Sequence, residues 1–424
     1  MVMLEKNKEE LFMSKPLEGI KVLDLTTFVA APVCARLLAD LGAEVIKVEP
    51  PKGDAWRITG KSFNTDHFSD EMNPVFDIYN SGKKLISLNL KSEEGREIFF
   101  KLMGEADVFV TNNRPDALKR LGIYYDDVKE RFPQLIYAII LGYGEKGPEA
   151  AVPAFDVTAF WTRSGFLRDM AMTDSEYQPL MPPSGAGDTV TGTTLCVQIC
   201  AALLNRMRTG KGDFVRSSLY QNGIFTFGSM GLATQLDGGR VYPRPRLAGG
   251  SAGAITGTYC CKDGEWLFMA NGGSAAFIPR IVAMVGHPEL MEDPRLVDKV
   301  ESNKPENVRA IFEMFKAAFM TKTCDEWIEL GKEYDIPLVK MNHFKDVAHD
   351  EQAIVNGFVE KVTYENGDSI MIPTCPFIMD SLGPVETKVT HTVGWDTEDV
   401  LLDLGYTKEQ IAALAESGAV VTRN

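Results

Sequence analysis

Histidine is scarce in this chain. Five occur in 424 residues, at positions 67, 287, 343, 349 and 391, and none forms an HxxxH or HExxH pair. A histidine-built metal centre is therefore not expected. Cysteine occurs seven times, at 34, 196, 200, 260, 261, 324 and 375, an odd number without a CxxC pair. Most of these stand in apolar runs, which suits reduced, buried thiols in a cytoplasm and not a disulfide framework or a zinc site. Positive charge is in deficit: 44 Lys and Arg face 59 Asp and Glu, for a net charge of −15. Nucleic acid and anionic membrane are thereby excluded as main partners, and an anionic ligand needs a locally basic pocket. No run of about 18 apolar residues occurs, so no membrane span is expected. Residues 1–15 lack the apolar core of a signal peptide and read as a loose tail. Also missing are a GxGxxG fingerprint, an internal repeat and a low-complexity segment.

What is present is a chain too long for one core, with 45% apolar residues, which points to two or three domains. The run from Gly19 to Leu25 reads as a strand, Pro32 to Leu41 as a helix ended by Gly42, and Ala43 to Glu49 as a second strand stopped by Pro50 and Pro51. That is a βαβ unit and hence a parallel sheet. The alternation continues through a strand at 85–88, a helix from Glu93 to Met103, strands at 106–110 and 135–140, and a further strand from Asp213 to Leu219. Ligands bind beyond the carboxyl ends of such strands. The exits at Thr26–Ala31, Asn112–Arg114 and Gly142–Glu145 are therefore expected to line one crevice, with Lys83, Lys84, Arg114 and Arg120 supplying positive charge, unless these are merely a solvated basic edge.

Beyond Tyr220, which opens a helix expected to run to Leu236, hairpin signals appear around Lys262–Asp263–Gly264 and Asn366–Gly367. Capping boxes are read at Thr323/Glu326 and Thr407/Gln410. The expected layout is a large α/β domain over 16–225 completed by 385–424, a smaller α+β domain over 240–345, and linkers at 226–239 and 346–384.

One stretch concentrates chemical potential: Pro182 to Gly192, in which a single carboxylate, Asp188, stands among small residues. An apolar run from Thr193 to Leu204 follows it and reads as a helix buried on all sides. Asp188 then serves either as the N-cap of that helix, for which Asp is well suited, or as a reactive carboxylate whose small neighbours leave room for a ligand.

Several segments taken together resemble a known family: Pro16 to Leu25, Leu41 to Glu49, Leu88 to Lys91, Gly142 to Pro148, Ser184 to Asp188 and Thr209 to Gly212. The chain is similar, from about residue 16 to 418, to the class III CoA-transferases of the formyl-CoA transferase and CaiB group. The segments at 112–114 and 153–160 look most like the 2-hydroxy-acid transferases for phenyllactate or 2-hydroxyisocaproate. The resemblance implies a Rossmann-like open parallel sheet with an inserted smaller domain, in a homodimer of interlocked rings. It places the catalytic aspartate on Asp188 and a second catalytic carboxylate on Glu145. CoA contacts fall on Val29, Ala30, Lys84, Asn112, Arg120 and Gly142, and on Gly249 and Gly250 of a mobile glycine loop spanning Gly249 to Gly253. No permanently bound cofactor and no metal is implied, only coenzyme A thioesters as substrates. Departures from formyl-CoA transferase at Val29, Pro50, Ser251 and Ala252 bear on substrate identity. Alternatives are a 2-methylacyl-CoA racemase of the same fold and a non-catalytic CoA-binding protein. The racemase branch uses His followed by Asp where this chain has Phe155–Asp156, and a phenyl ring exchanges no proton. Phe28, Phe155, Phe160 and Trp161 either line an apolar side-chain pocket or belong to the core.

Overall fold

A computed structural model describes residues 15–61, 68–69, 72–169, 182–183, 185–235, 255–270, 275–298 and 300–423. The tail up to residue 14 and the expected glycine loop, Gly249 and Gly250 included, lie outside the described residues. The chain divides into two compact units. One comprises Met1–Phe166, Pro182–Leu232 and Asp350–Asn424; the other comprises Leu167–Met181 and Ala233–His349.

In the first unit, β1 (Lys21–Leu25), β2 (Glu44–Glu49), β3 (Lys84–Leu88), β4 (Val108–Thr111), β5 (Ile136–Leu141) and β6 (Asp213–Ser218) form one parallel sheet. Their order, β3-β2-β1-β4-β5-β6, is that of doubly wound dinucleotide-binding folds, with the reversal point between β1 and β4. A two-residue strand, Val420–Val421, pairs antiparallel with β3 and closes that edge, so the sheet is mostly and not wholly parallel. Two residues are too few to show a periodicity in sequence.

Strand residues alternate between two cores, as buried parallel strands must. Val22, Val45, Val108, Ile136 and Ala138 face one; there α1 (Ala30–Asp40) and the long helix Ala186–Thr209 pack. Leu23, Val48, Ile86, Phe109 and Tyr137 face the other, under the helices Glu93–Glu105 and Thr397–Asp403.

The long helix corrects the expectation of burial on all sides. Leu195, Cys196, Ile199 and Leu203 are buried, whereas Val197 and Leu204 are each 63% exposed and Met207 83%. By length and composition it is the one helix among the described residues apolar enough to cross a membrane, yet one face is committed to the sheet. The helix expected from Tyr220 to Leu236 is two short ones, Leu219–Thr226 and Gly228–Ala233. The 346–384 segment, expected as a linker, carries the hairpin Val359–Thr363/Ser369–Pro373, tied to this unit by the bond from the Tyr364 hydroxyl to Asp77 Oδ2 (2.6 Å).

The second unit holds a three-stranded antiparallel sheet, Gly257–Cys260, Trp266–Met269 and Leu338–Lys340. It packs on the helices Pro305–Phe319 and Cys324–Glu333 around Tyr259, Phe315, Phe319 and Trp327. The capping box at Thr323 is formed: Thr323 N donates to Glu326 Oε2 (2.8 Å), and Glu326 N donates to Thr323 Oγ1 (3.3 Å).

Candidate active site

The site grows from the exit of β1. Lys47 on β2 has a fully buried ammonium, which sits 2.9 Å from Asp54 Oδ2 and donates to Thr26 O at 2.9 Å. The other oxygen of Asp54 accepts from Thr27 Oγ1 (2.6 Å), Phe28 N (3.2 Å) and Trp56 N (2.9 Å). Burial pulls the Lys47 ammonium down, but the carboxylates of Asp54, Asp24 and Glu49 outweigh it and hold Lys47 above its ordinary range. This buried ion pair pins residues 26–28 and holds Phe28 in the left-handed region at φ 63°, a strained conformation for a bulky residue. Asn112 joins the neighbouring exit to it: its Oδ1 accepts from Thr27 N (3.0 Å) and its Nδ2 donates to Thr27 O (2.8 Å). The Asn112 side chain, expected on CoA, is thus committed to fixing the loop.

Val29 caps α1 and Ala30 begins it, and both are buried. Val29 lies against the turn before the long helix, with its Cγ1 3.8 Å from where a Cβ on Gly185 would stand. That turn excludes the N-cap reading of Asp188. The cap residue is Gly185, at φ 83°, which has no side chain to cap with; Asp188 is the third residue of the helix. Its carboxylate accepts no hydrogen bond from the described residues and stays partly open to solvent. Burial raises the Asp188 carboxyl to about 7, and the nearby charge of Asp156 adds to the rise.

Asp156 is the second carboxylate of the site. It opens a π-helix, Asp156–Thr162, and its Oδ2 accepts from Gly185 N at 2.8 Å. Its Oδ1 is buried and finds no hydrogen-bond partner of full geometry among the described residues. Burial raises this carboxyl also, offset chiefly by the Gly185 N–H. Gly187 must lack a side chain, because a Cβ there would collide with Asp156 Oδ1 and the Phe160 ring. Gly142 admits the same segment: its missing Cβ leaves room for Ala154.

Glu145 does not join this pair. Its Oε2 accepts from Arg216 (2.8 Å) and its Oε1 from the Tyr124 hydroxyl (3.4 Å). Tyr124 belongs to the core on the sheet face opposite the Asp188 helix. The carboxylate beside Asp188 is therefore Asp156 and not Glu145. Lys84 is also elsewhere, at the amino end of β3, where it pairs with Glu44 (2.6 Å) and lines a cleft of about 250 Å³ with Lys21 and Glu105. A parallel sheet puts that end opposite the exits of β1 and β4. Lys83 is fully buried, donates to Asp24 Oδ2 and Asn80 Oδ1 (both 2.9 Å), and is brought down to about 8 chiefly by burial. Arg114 and Arg120 are exposed at either end of the helix Pro115–Leu121. Among the described residues no group of three or more metal-ligating side chains occurs.

The four aromatic residues separate. Phe160 is buried against Phe227, and Trp161 packs on Phe166 and Phe227. Phe28 instead meets Phe155 edge-on at 5.8 Å, with Phe155 60% exposed. Sequence reasoning missed Trp56 and Tyr79, which extend this wall at 6.3 Å from Phe28 to Trp56 and 6.0 Å from Trp56 to Tyr79. Neither carries a local motif; only the fold brings residues 56 and 79 beside 155.

The profile of the family described as CoA-transferase family III matches residues 17–397. The chain belongs to that family. A relative named (R)-2-hydroxy-4-methylpentanoate CoA-transferase, from Clostridioides difficile, is 38% identical over 406 residues, covering 95% of this chain and 99% of that protein. A cinnamoyl-CoA:phenyllactate CoA-transferase from Clostridium sporogenes is 34% identical, covering 96% and 97%. The solved structure of a CAIB/BAIF family protein from Brucella suis matches with a TM-score of 0.76 at 26% identity, covering 92% of this chain and 99% of that one. The protein is thus a CoA-transferase, and acyl-CoA and carboxylate substrates follow from the family.

In the reading of Asp188 as the nucleophile, proposed below, its carboxylate must be ionised, so the rate is expected to rise with pH through about 7. Asp156→Asn keeps an oxygen for Gly185 N–H but removes the neighbouring charge, the smaller of the two causes. The acid limb of kcat/KM against pH then moves to lower pH without disappearing; an unmoved limb refutes the coupling.

Proposed function

We propose that the protein moves CoA from an acyl-CoA donor to a 2-hydroxy carboxylic acid with an aromatic or branched aliphatic side chain, of the phenyllactate or 2-hydroxyisocaproate kind, with Asp188 as covalent carrier. The observation that carries this reading is an ionisable carboxylate that finds no hydrogen-bond partner among the described residues, with a second carboxylate, Asp156, and the ring of Tyr79 near it. The names of the two relatives support the substrate class.

In this reading Asp188 attacks the donor thioester carbonyl, the C–S bond breaks, and CoA thiolate leaves a mixed anhydride. The thiolate then attacks the aspartyl carbonyl, releasing the donor acid as carboxylate and leaving an aspartyl-CoA thioester. The acceptor carboxylate attacks that thioester and expels thiolate again. Thiolate finally takes the acyl group from the new anhydride and frees Asp188. One thioester is exchanged for another, so no nucleotide is consumed, and each step is a carboxylate or thiolate displacement. Arg120 is proposed as a contact for CoA phosphates, and Val29, Ala30 and Gly142 as the walls of the CoA channel. We take the assembly to be an interlocked homodimer in the cytoplasm that acts in amino-acid fermentation.

The test is a chromatographic screen of acyl-CoA donors against carboxylic acids, without ATP and with EDTA present. New 2-hydroxyacyl-CoA thioesters are expected. Activity that needs ATP or is lost to EDTA contradicts the proposal, as does failure of every 2-hydroxy acid.

A further inference from the structure

Phe28, Trp56, Tyr79 and Phe155 form a continuous edge-to-face series beside the turn that carries Asp188. Three of them offer no free polar atom: two are phenylalanines, and Trp56 Nε1 donates to Val75 O at 2.9 Å. Tyr79 is different. It stands on the helix Pro74–Asn80, half-buried, with its hydroxyl 3.6 Å from where a Cβ on Gly185 would lie. Gly185 is the residue whose N–H holds Asp156 and whose turn starts the Asp188 helix. The hydroxyl makes no hydrogen bond with any described residue. Burial, and then the charges of Asp188 and Asp156, push the phenol above its ordinary range, so it remains a protonated donor throughout the working pH range.

One uncommitted hydroxyl in an otherwise apolar wall next to the nucleophile matches a ligand with one polar atom near its carboxyl carbon and an apolar remainder. An acyl group joined to Asp188 through its carbonyl carbon carries its 2-substituent on the next atom, beside the carboxylate. We propose that Tyr79 is a specificity-determining residue that hydrogen-bonds the 2-hydroxyl of the acid, while the rings of Phe28, Trp56 and Phe155 take its apolar side chain. This rests on the 2-hydroxy-acid reading above and adds the group that enforces it. A site that hydrogen-bonds a substrate hydroxyl rejects the analogue lacking it, because the buried polar atom is left unpaired.

The experiment compares phenyllactate with 3-phenylpropanoate, which differs only in the 2-hydroxyl, as acceptors from one constant acyl-CoA donor, in the wild type and in Tyr79→Phe. The substitution removes one oxygen and keeps the ring on Trp56; transfer to 3-phenylpropanoate serves as the internal check that the variant is folded. The wild type is expected to prefer phenyllactate in kcat/KM. Tyr79→Phe is expected to lower kcat/KM for phenyllactate about tenfold and to leave 3-phenylpropanoate within about twofold. Equal losses on both acids, as an oxyanion donor or a structural prop would give, overturn the proposal, and so does an unchanged preference. A wild type that does not distinguish the two acids overturns the 2-hydroxy-acid reading itself.

Discussion

Asp188→Asn is expected to lower CoA transfer by several orders of magnitude while leaving the protein folded. Removing the nucleophile from a covalent enzyme loses roughly 10⁶-fold in kcat in the best-measured case, and the carboxamide lacks the anionic oxygen that attacks a thioester. A structural role predicts something else. The cap position belongs to Gly185 and no side chain caps this helix, so Asp188 has no capping bond to lose. The variant's stability supplies a second, independent sign. The folded-state pKa of Asp188 is raised from 3.8 to about 7, so the fold prefers the protonated form. The corresponding stability is fully present below pH 3.8 and is lost as pH rises through about 7. At pH 8 the Asn variant is therefore expected to be more stable than the wild type, by about 2 kcal/mol after allowance for the solvent that still reaches the carboxylate. Near pH 3.5 the gain vanishes. Hydroxylamine added with donor thioester should leave a hydroxamate on the Asp188 peptide of the wild type, located by mass spectrometry. Near-normal turnover in the Asn variant removes Asp188 from the chemistry and leaves Asp156 as the nearest carboxylate to examine.

Asp54→Ala is expected to produce the largest loss of stability. It removes the ion-pair partner of the fully buried Lys47 ammonium and frees three donors, Thr27 Oγ1, Phe28 N and Trp56 N. Breaking one side of a buried ion pair costs about 3–5 kcal/mol where the remaining charge is uncompensated; Asp24 and Glu49 still face Lys47, so a cost toward the lower end of that range is expected. For a unit of this size that lowers the midpoint of its thermal transition by roughly 10 °C. Lys47→Met combined with Asp54→Ala removes both charges and should recover part of the loss, since the coupling between the two sites is not additive. Calorimetry of the two single variants and the double variant measures it. A single-variant cost below about 1 kcal/mol means that water reaches the pair and that the Phe28 conformation has another cause.

Local chemistry was legible without coordinates. Apolar runs bounded by Gly and Pro located β1, β2 and the helix between them, because side-chain burial and turn chemistry act over a few residues. The same holds for the boxes at Thr323 and Thr407, where two side chains close a local pair of bonds. Small residues around a lone carboxylate marked 182–192, and the order of segments marked the family. Which partners meet was decided by tertiary structure. Glu145 and Asp156 are both carboxylates near the exit of β5, and the sequence does not tell which faces Asp188. The β5–β6 pairing sets Arg216 opposite Ile139 and draws Glu145 to the far face of the sheet, while the close approach allowed at Gly187 brings Asp156 in. Lys84 and Lys83 adjoin in sequence, yet one sits at an exposed strand start and the other in a buried ion pair with Asp24. Strand polarity and burial, which come from pairing over dozens of residues, separate them. Tyr79 and Trp56 reach the site through pairings of the same long range: buried Asp54 holds the Trp56 N–H and buried Lys83 holds Asn80 at the end of the Tyr79 helix, and the distance between residues 56, 79 and 155 along the chain carries no trace of their contact in space.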